Sequence, residues 1–164
     1  LANSVGSPVN VFVIGNTIKC AGYRCLLVGD DSPVIKNNII WQTGSGQLVD
    51  LRDNTGCNSA NINNNLYYAP GSSYPFAGSC GRTWSDWRNS KNLDANGIFG
   101  QNPNLDSCFS STGTSPSVGK GAILANEYSQ GLSSSLCGPN GPAAFLPVIL
   151  NNRGSTWDIG AYER

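Results

Sequence analysis

The sequence contains no histidine and no methionine, and it is poor in charge. Without histidine the chain holds neither a Ser-His-Asp nor a Cys-His catalytic arrangement, and a zinc site would depend on thiolates alone. Charged residues make up 12% of the chain, and its 10 basic and 10 acidic side chains cancel. This composition predicts no nucleic-acid partner and no attraction to an anionic membrane surface. No apolar run approaches the length of a membrane span, so no membrane-spanning segment is expected.

Because translation starts with methionine and the sequence has none, we expect a processing step or a truncation before Leu1. Removal of a secretory signal, or of a larger N-terminal region, is the expected step. A mature secreted product is the simplest account of this feature.

The six cysteines are even in number, widely scattered, and form no CxxC pair. This pattern is typical of disulfides in an oxidising compartment rather than of a metal site, and it predicts a secreted protein, extracellular or periplasmic. Six cysteines allow 15 connectivities. Sequence proximity favours Cys20–Cys25 as a local bridge, and Cys57–Cys80 and Cys108–Cys137 as bridges that close longer loops.

One short phrase occurs three times near the start of the chain. It reads VFVIGNTI at 11–18, PVIKNNII at 33–40 and ANINNNLY at 60–67. Aligned on its asparagine, the phrase recurs after 22 and then 27 residues, a period typical of stacked coils. Stacked strands lie about 4.8 Å apart, so these asparagines are expected to hydrogen-bond from rung to rung; ordinary turn chemistry is the alternative. The phrase predicts a ladder of Asn16, Asn38 and Asn65, flanked by apolar columns of Val13, Ile35 and Ile62 and of Ile18, Ile40 and Tyr67.

A second apolar strand follows each of the first two phrases. Leu26-Leu27-Val28 follows the first and Leu48-Val49-Asp50-Leu51 the second, with Leu26 and Leu48 again 22 residues apart. Strand, turn, strand, turn in about 22 residues describes one coil of a parallel β-helix. We therefore predict an all-β fold, a short parallel β-helix of about three coils in a single domain covering residues 1–164.

The chain after the coils is predicted to be less regular. Regular coils occupy residues 11–68, and an irregular, disulfide-tied part occupies 69–164 as a loop-rich C-terminal cap. Only the stretch 83–91 has helical character. It predicts one short helix with two indoles in the core, with Trp84, Trp87 and Arg88 on one face and Ser85 as the N-cap.

Further phrases carry a family resemblance. The chain contains TWSDWRNSKNLDANGIFGQNPNL at 83–105, SPSVGKG at 115–121 and DIGAYER at 158–164. With the three asparagine phrases, and in this order, they resemble the C-terminal part of secreted right-handed parallel β-helix proteins, the pectate-lyase-like superfamily. That superfamily includes polysaccharide lyases, glycoside hydrolases, epimerases and proteins without catalysis, so the fold does not settle the function. Its enzymes commonly use more than three coils, so the resemblance implies either the C-terminal end of a longer β-helix, with the missing N-terminal part before Leu1, or a short version of the fold.

Acidic and basic side chains converge on stacked coils at one place in the sequence. With a 22-residue period, Asp30 is expected beside Arg52 and Asp31 beside Asp53. A lyase acting on uronic-acid polymers needs a base, and a cation that neutralises the substrate carboxylate; carboxylates also bind Ca²⁺. Turn residues and ion pairs at the rim are the alternative interpretation. The pattern predicts Asp30, Asp31, Lys36 and Arg52 as catalytic residues, and Asp30, Asp31, Asp50 and Asp53 as candidate Ca²⁺ ligands.

Aromatic side chains give a further indication, since sugar rings stack on exposed indole and phenol rings. The candidates for a glycan groove are Trp41, Tyr67, Tyr68, Tyr74, Trp84 and Trp87, of which Trp41 and Tyr68, together with Arg24, are the predicted substrate-binding residues.

Two functions stay open. One is a secreted module that recognises an acidic polysaccharide, as the C-terminal part of a polysaccharide lyase or hydrolase. The other is a non-catalytic extracellular structural or surface protein that self-associates through open β-helix ends.

Overall fold

Strands dominate the computed structural model of the chain, and the elements bounded within the described residues include a short helix. The prediction of an all-β protein is confirmed at this level. The structure describes residues 11–29, 32–52, 57, 60–124, 130–133, 137–138, 141–142, 150–152, 155–160 and 162–163.

Each asparagine phrase provides one strand before its asparagine and one after it, and the apolar run that follows provides a third. The first repeat gives β1 (Phe12–Ile14), β2 (Thr17–Cys20) and β3 (Arg24–Val28). The second and third repeats give β4 (Val34–Lys36), β5 (Ile39–Gln42), β6 (Gln47–Leu51), β7 (Asn61–Asn63), β8 (Leu66–Tyr68) and β9 (Phe76–Gly78), and β10 (Ile98–Phe99) follows.

Corresponding strands of successive repeats pair in parallel. The first sheet has the order β1-β4-β7, the second β10-β8-β5-β2, and the third β3-β6-β9. The predicted columns are confirmed in the first two sheets, where Val13 pairs with Ile35 and Ile35 with Ile62, and where Ile18 pairs with Ile40 and Ile40 with Tyr67.

The third sheet departs from the predicted register by one residue. Leu26 pairs with Val49, not with Leu48. The turn 43–46 before β6 is one residue longer than the turn 21–23 before β3, so paired residues of β3 and β6 are 23 residues apart. The predicted neighbours Asp30 and Arg52, and Asp31 and Asp53, rest on an assumed offset of 22 residues after these two strands. The strands themselves are offset by 23 residues.

The asparagine ladder is confirmed. Asn16 Nδ2 donates to Asn38 Oδ1 over 3.1 Å, and Asn38 Nδ2 donates to Asn65 Oδ1 over 2.9 Å. The backbone N–H groups of Asn16 and Asn38 donate to the same two oxygens, each over 3.0 Å. Asn38 and Asn65 are fully buried, so the ladder satisfies polar groups that would otherwise be costly inside the core.

An aromatic cluster packs beside the sheets. Trp87 and Phe76 are fully buried, and their ring centroids lie 4.5 Å apart. Trp84, which is partly buried, stacks on Phe99 with ring centroids 5.4 Å apart. The two indoles thus belong to the core, as predicted.

The short helix spans Asp86–Ser90, inside the predicted stretch. Ser85 stands at its N-cap but makes no side-chain capping bond, so the predicted cap is wrong. Thr83 caps it instead: the backbone N–H of Asp86 donates to Thr83 Oγ1 over 3.1 Å, and Asp86 Oδ2 accepts from the backbone N–H of Thr83 over 3.1 Å. The Asp86 carboxylate also accepts from the Thr83 hydroxyl over 2.8 Å, and this bond, with those from the backbone N–H groups of Thr83 and Arg82, lowers the pKa of Asp86.

Later segments cover the outer face of the second sheet. Ile159 packs on Ile39 and Leu66, and all three are buried. Asn37 fixes this cover, because its Nδ2 donates to the carbonyl of Ala122 and its Oδ1 accepts from the N–H of Ala122, both over 2.8 Å.

Short strands occur beyond residue 124 as well. They are β11 (Gln130–Ser133), β12 (Cys137–Gly138), β13 (Gly141–Pro142), β14 (Leu150–Asn152) and β15 (Tyr162–Glu163). β11 pairs antiparallel with β14 and parallel with β15, and β12 pairs antiparallel with β13.

Two predicted disulfides, Cys20–Cys25 and Cys57–Cys80, are confirmed. Cys108 is also disulfide-bonded, and the side chain of its predicted partner, Cys137, lies outside what the structure describes. Over the described ranges, no helix has the length and apolar character needed to cross a membrane.

Candidate functional site

The predicted charge cluster is only partly described. Arg24 and Asp50 do meet: Arg24 Nε lies 2.6 Å from Asp50 Oδ2, on neighbouring strands β3 and β6. Asp50 is buried, and its Oδ2 makes this ion pair. Asp30, Asp31 and Asp53 lie outside the described residues.

The two predicted catalytic cations, Lys36 and Arg52, come from different sheets. Lys36 ends β4 in the first sheet and is half-buried, whereas Arg52 directly follows β6 of the third sheet and is exposed. Within the described part of the chain, no group of three or more Asp, Glu, His or Cys residues is placed to hold a metal ion.

The predicted sugar-stacking pair is brought together on the second sheet. Trp41 and Tyr68 pair across β5 and β8, and their ring centroids lie 6.0 Å apart. Lys19, the neighbour of Trp41 on β2, places its Nζ 4.3 Å from the indole centroid. Phe109 approaches the same ammonium group at 5.6 Å. Both predicted rings are half-buried, which leaves a smaller stacking surface than predicted.

A more open aromatic surface lies where three turns stack, one from each repeat. These turns line a cleft of 520 Å³, which we call the tyrosine cleft. Tyr23 and Tyr74 stand in it with 68% and 56% of their surface exposed. The lining residues are Ala21, Gly22, Tyr23, Ser45, Gly46, Gln47, Gly71, Ser73 and Tyr74.

The floor of the tyrosine cleft is backbone packed on backbone. A Cβ atom at Gly46 would overlap the carbonyl oxygen of Gly22, so only glycine lets these turns approach so closely. Gln42, fully buried, holds them together: its Nε2 donates to the carbonyl of Gly22 over 2.8 Å, and its Oε1 accepts from the N–H of Gly44 over 2.9 Å. The cleft is therefore preorganised.

An arginine accompanies each exposed tyrosine. The guanidinium carbon of Arg24 lies 4.3 Å from the Tyr23 ring centroid, and that of Arg82 lies 5.8 Å from the Tyr74 ring centroid. Arg24 is also oriented by Gln47, whose Oε1 accepts from its Nε over 3.2 Å. Two aromatic rings at one cleft, each with a guanidinium group beside it, suit a ligand that has both a ring and a negative charge.

Of this site, the sequence predicted Arg24 and named Tyr74 among its aromatic candidates, but it missed Tyr23. The available signal was the position of both tyrosines beside Gly and Ser in turns, where side chains project away from the sheets.

The most perturbed carboxyl group lies elsewhere. Asp94 is buried and accepts from Asn65 Nδ2 over 2.8 Å and from the Tyr67 hydroxyl over 2.7 Å. Burial raises the pKa of Asp94 to about 6, and burial beside this carboxyl raises the pKa of Tyr67 well above its ordinary value. Such shifts often mark active sites, but this carboxyl closes the asparagine ladder inside the core, so its role is structural.

No protein-family model, curated protein or solved structure matches the chain.

Proposed function

We propose that the chain is a secreted module that recognises acidic polysaccharides, with the right-handed parallel β-helix fold of the pectate-lyase-like superfamily. Three parallel sheets that each take one strand per repeat support the fold, and the disulfides support secretion. The observation that carries the function is the tyrosine cleft, where two exposed tyrosines each have an arginine beside the ring.

In the proposed complex, sugar rings lie against Tyr23 and Tyr74, and uronate carboxylates approach Arg24 and Arg82. Stacking on each ring contributes about 0.5–1.5 kcal/mol. The carboxylate near Arg24 meets a guanidinium group that Asp50 and Gln47 already hold in place, so this group does not need to be ordered on binding. A neutral glycan of the same shape has only the stacking, so an acidic glycan is preferred.

The proposal includes catalysis as well. In it, the chain is the C-terminal part of a longer polysaccharide lyase or hydrolase. Asp30, Asp31, Lys36 and Arg52 remain its predicted catalytic residues, and Ca²⁺ its predicted cofactor. Incubation with polygalacturonate or alginate and Ca²⁺ gives an ultraviolet-absorbing unsaturated product if lyase activity is present. If the absorbance does not change but the protein still binds the polysaccharide, the chain has recognition without lyase activity.

Calorimetric titration with polygalacturonate oligomers tests recognition. The double variant Tyr23→Ala/Tyr74→Ala should bind about tenfold more weakly or worse, because both stacking faces are lost. The double variant Tyr23→Phe/Tyr74→Phe should keep most of the affinity, because the rings remain. Phe12→Ala, which removes a 54% exposed ring on β1, is the matched control and should not change the affinity.

Equal affinity in the wild-type protein and the alanine double variant would contradict the proposal. The alternative, a non-catalytic structural protein that self-associates, is favoured by one observation: among the described residues β1, β2 and β3 each form an edge of a parallel sheet, all in the first repeat. Concentration-dependent assembly in sedimentation velocity, without glycan binding, would establish that alternative instead.

A further inference from the structure

A second cavity lies near the starts of strands in the second sheet, whereas the tyrosine cleft lies beyond their ends. The tyrosine cleft uses turns that follow β2, β5 and β8, whereas this cavity uses Asn64, which precedes β8, and residues that precede β10. It has a volume of 730 Å³, within the range of sites that hold small molecules. The helix contributes Arg88, and a later segment contributes Lys120. We call it the amide cavity.

The two charged side chains that line the amide cavity are both basic. Arg88 and Lys120 line it, and no acidic residue does. Both are exposed, and among the described residues neither takes part in an ion pair. Arg88 is held in place because its Nη2 donates to the carbonyl of Ala95 over 3.0 Å. A cavity with two cations and no carboxylate in its lining attracts an anion.

Neutral hydrogen-bonding groups share the wall with these cations. Asn64, Asn96 and Gln101 bring three side-chain amides, each able to donate and to accept. The backbone that carries the first two is fixed, because Asn63 Oδ1 accepts from the N–H of Asn64 over 3.0 Å and from the N–H of Asn96 over 2.9 Å. Amides of this kind match hydroxyl groups, which also donate and accept.

We propose that the amide cavity is a second binding site, for a sugar acid unit. Its carboxylate lies between Arg88 and Lys120, and its hydroxyls bond to Asn64, Asn96 and Gln101. Asn64 Nδ2 already donates to the carbonyl of Lys120 over 2.9 Å, so Asn64 offers its Oδ1 as an acceptor, while Asn96 and Gln101 are exposed. The volume of the cavity exceeds what an inorganic anion would fill. The inference shares its ligand class with the proposed function but rests on different residues, so each can fail without the other.

The test is an NMR titration of the ¹⁵N-labelled protein with sodium galacturonate, with galactose as the neutral ligand. Galacturonate should shift the amide signals of Gly97 and Gly119, which line the cavity, and galactose should shift them far less. In Arg88→Gln/Lys120→Gln the apparent dissociation constant should rise at least tenfold. Lys91→Gln removes an exposed charge next to the same helix but outside the cavity, and should bind as the wild type does.

Further arms separate the outcomes. The Tyr23→Ala/Tyr74→Ala variant should keep these shifts, which separates this site from the tyrosine cleft. The single variant Lys120→Gln, at an exposed position, should weaken galacturonate severalfold and serves if the double variant is poorly folded. The proposal is overturned if the double variant binds galacturonate as tightly as the wild type, or if sulfate shifts the same signals at equal or lower concentration, since the site would then be a general anion site.

Discussion

At the scale of single residues, Asp94 provides the hydrogen-bond acceptor for the last asparagine of the ladder, Asn65. Ile98 pairs with Leu66, so Gly97 occupies the position that corresponds to Asn65. A Cβ atom on Gly97 would lie 2.6 Å from Asp94 Cγ. The glycine therefore leaves room for a carboxylate from three residues earlier, which accepts the bonds that a fourth asparagine would have accepted.

That carboxylate makes the stability depend on pH. The pKa of Asp94 is about 6 in the folded protein, against an ordinary value of 3.8. The folded state thus binds the proton more tightly, so stability from this group is greatest below pH 3.8 and falls as the pH rises through 6. We expect Asp94→Asn to be more stable than the wild type at about pH 7.5, by on the order of 1–3 kcal/mol, and nearly equal to it at about pH 3.5. Urea denaturation at both pH values measures this.

Asp86→Asn is the control of opposite sign. Hydrogen bonds lower the pKa of Asp86, so its contribution is present above its ordinary pKa and is lost as the pH falls through the lowered value. This variant should be less stable than the wild type at neutral pH, with the difference shrinking in acid. If Asp94→Asn is instead less stable than the wild type at neutral pH, the hydrogen bonds that the charged carboxylate accepts outweigh the cost of burying its charge.

At the scale of elements, the ladder joins the strands of different repeats. Asn38 is fully buried, and its amide bonds Asn16, Asn65 and the carbonyl of Val13. Asn38→Ala leaves several buried groups unpaired, so we expect a loss of about 2–4 kcal/mol in the free energy of unfolding by urea. Asn16→Ala removes an exposed amide at the end of the ladder and should cost about 1 kcal/mol or less. Equal losses would show that the ladder position does not matter.

The repeat itself explains which elements could be predicted. An amide ladder and two apolar columns all require one register, so the first two sheets follow from the phrases. The register of the third sheet does not, because Leu48 and Val49 are both fully buried and the apolar pattern fits either pairing. The register is set by the turn 43–46, which has one residue more than the turn 21–23. The sequence pattern does not show where either turn begins and ends, so it does not reveal this extra residue.

The candidate site was harder to predict for a physical reason. Exposure of Tyr23 depends on where the turns of other repeats lie, and their approach rests on Gly46 and the buried amide of Gln42. Asp94 likewise acquires its role from Gly97, three residues away, rather than from the repeat. Such contacts arise only once the repeats are stacked.

At the scale of the whole molecule, the two proposed sites lie at opposite ends of the strands of the second sheet. One disulfide closes a loop at the tyrosine cleft, and the other lies outside the lining of both sites. Cys20–Cys25, with a sequence separation of 5, closes a short loop that contains Tyr23 and Arg24. Cys57–Cys80 has a separation of 23 and links segments outside the lining of either site. A longer closed loop restricts the unfolded chain more strongly, so stability and binding should depend on different bridges.

Paired serine variants separate these roles. Cys57→Ser/Cys80→Ser should lose about 3 kcal/mol of unfolding free energy, and Cys20→Ser/Cys25→Ser about 2 kcal/mol. Glycan affinity should follow the opposite order: opening the short loop frees the Tyr23 turn and weakens polygalacturonate binding severalfold, whereas opening the long loop leaves it nearly unchanged while the protein is folded. Urea denaturation and calorimetry on the same samples measure both. If affinity instead falls in proportion to stability in both variants, the short bridge has no special part in shaping the tyrosine cleft.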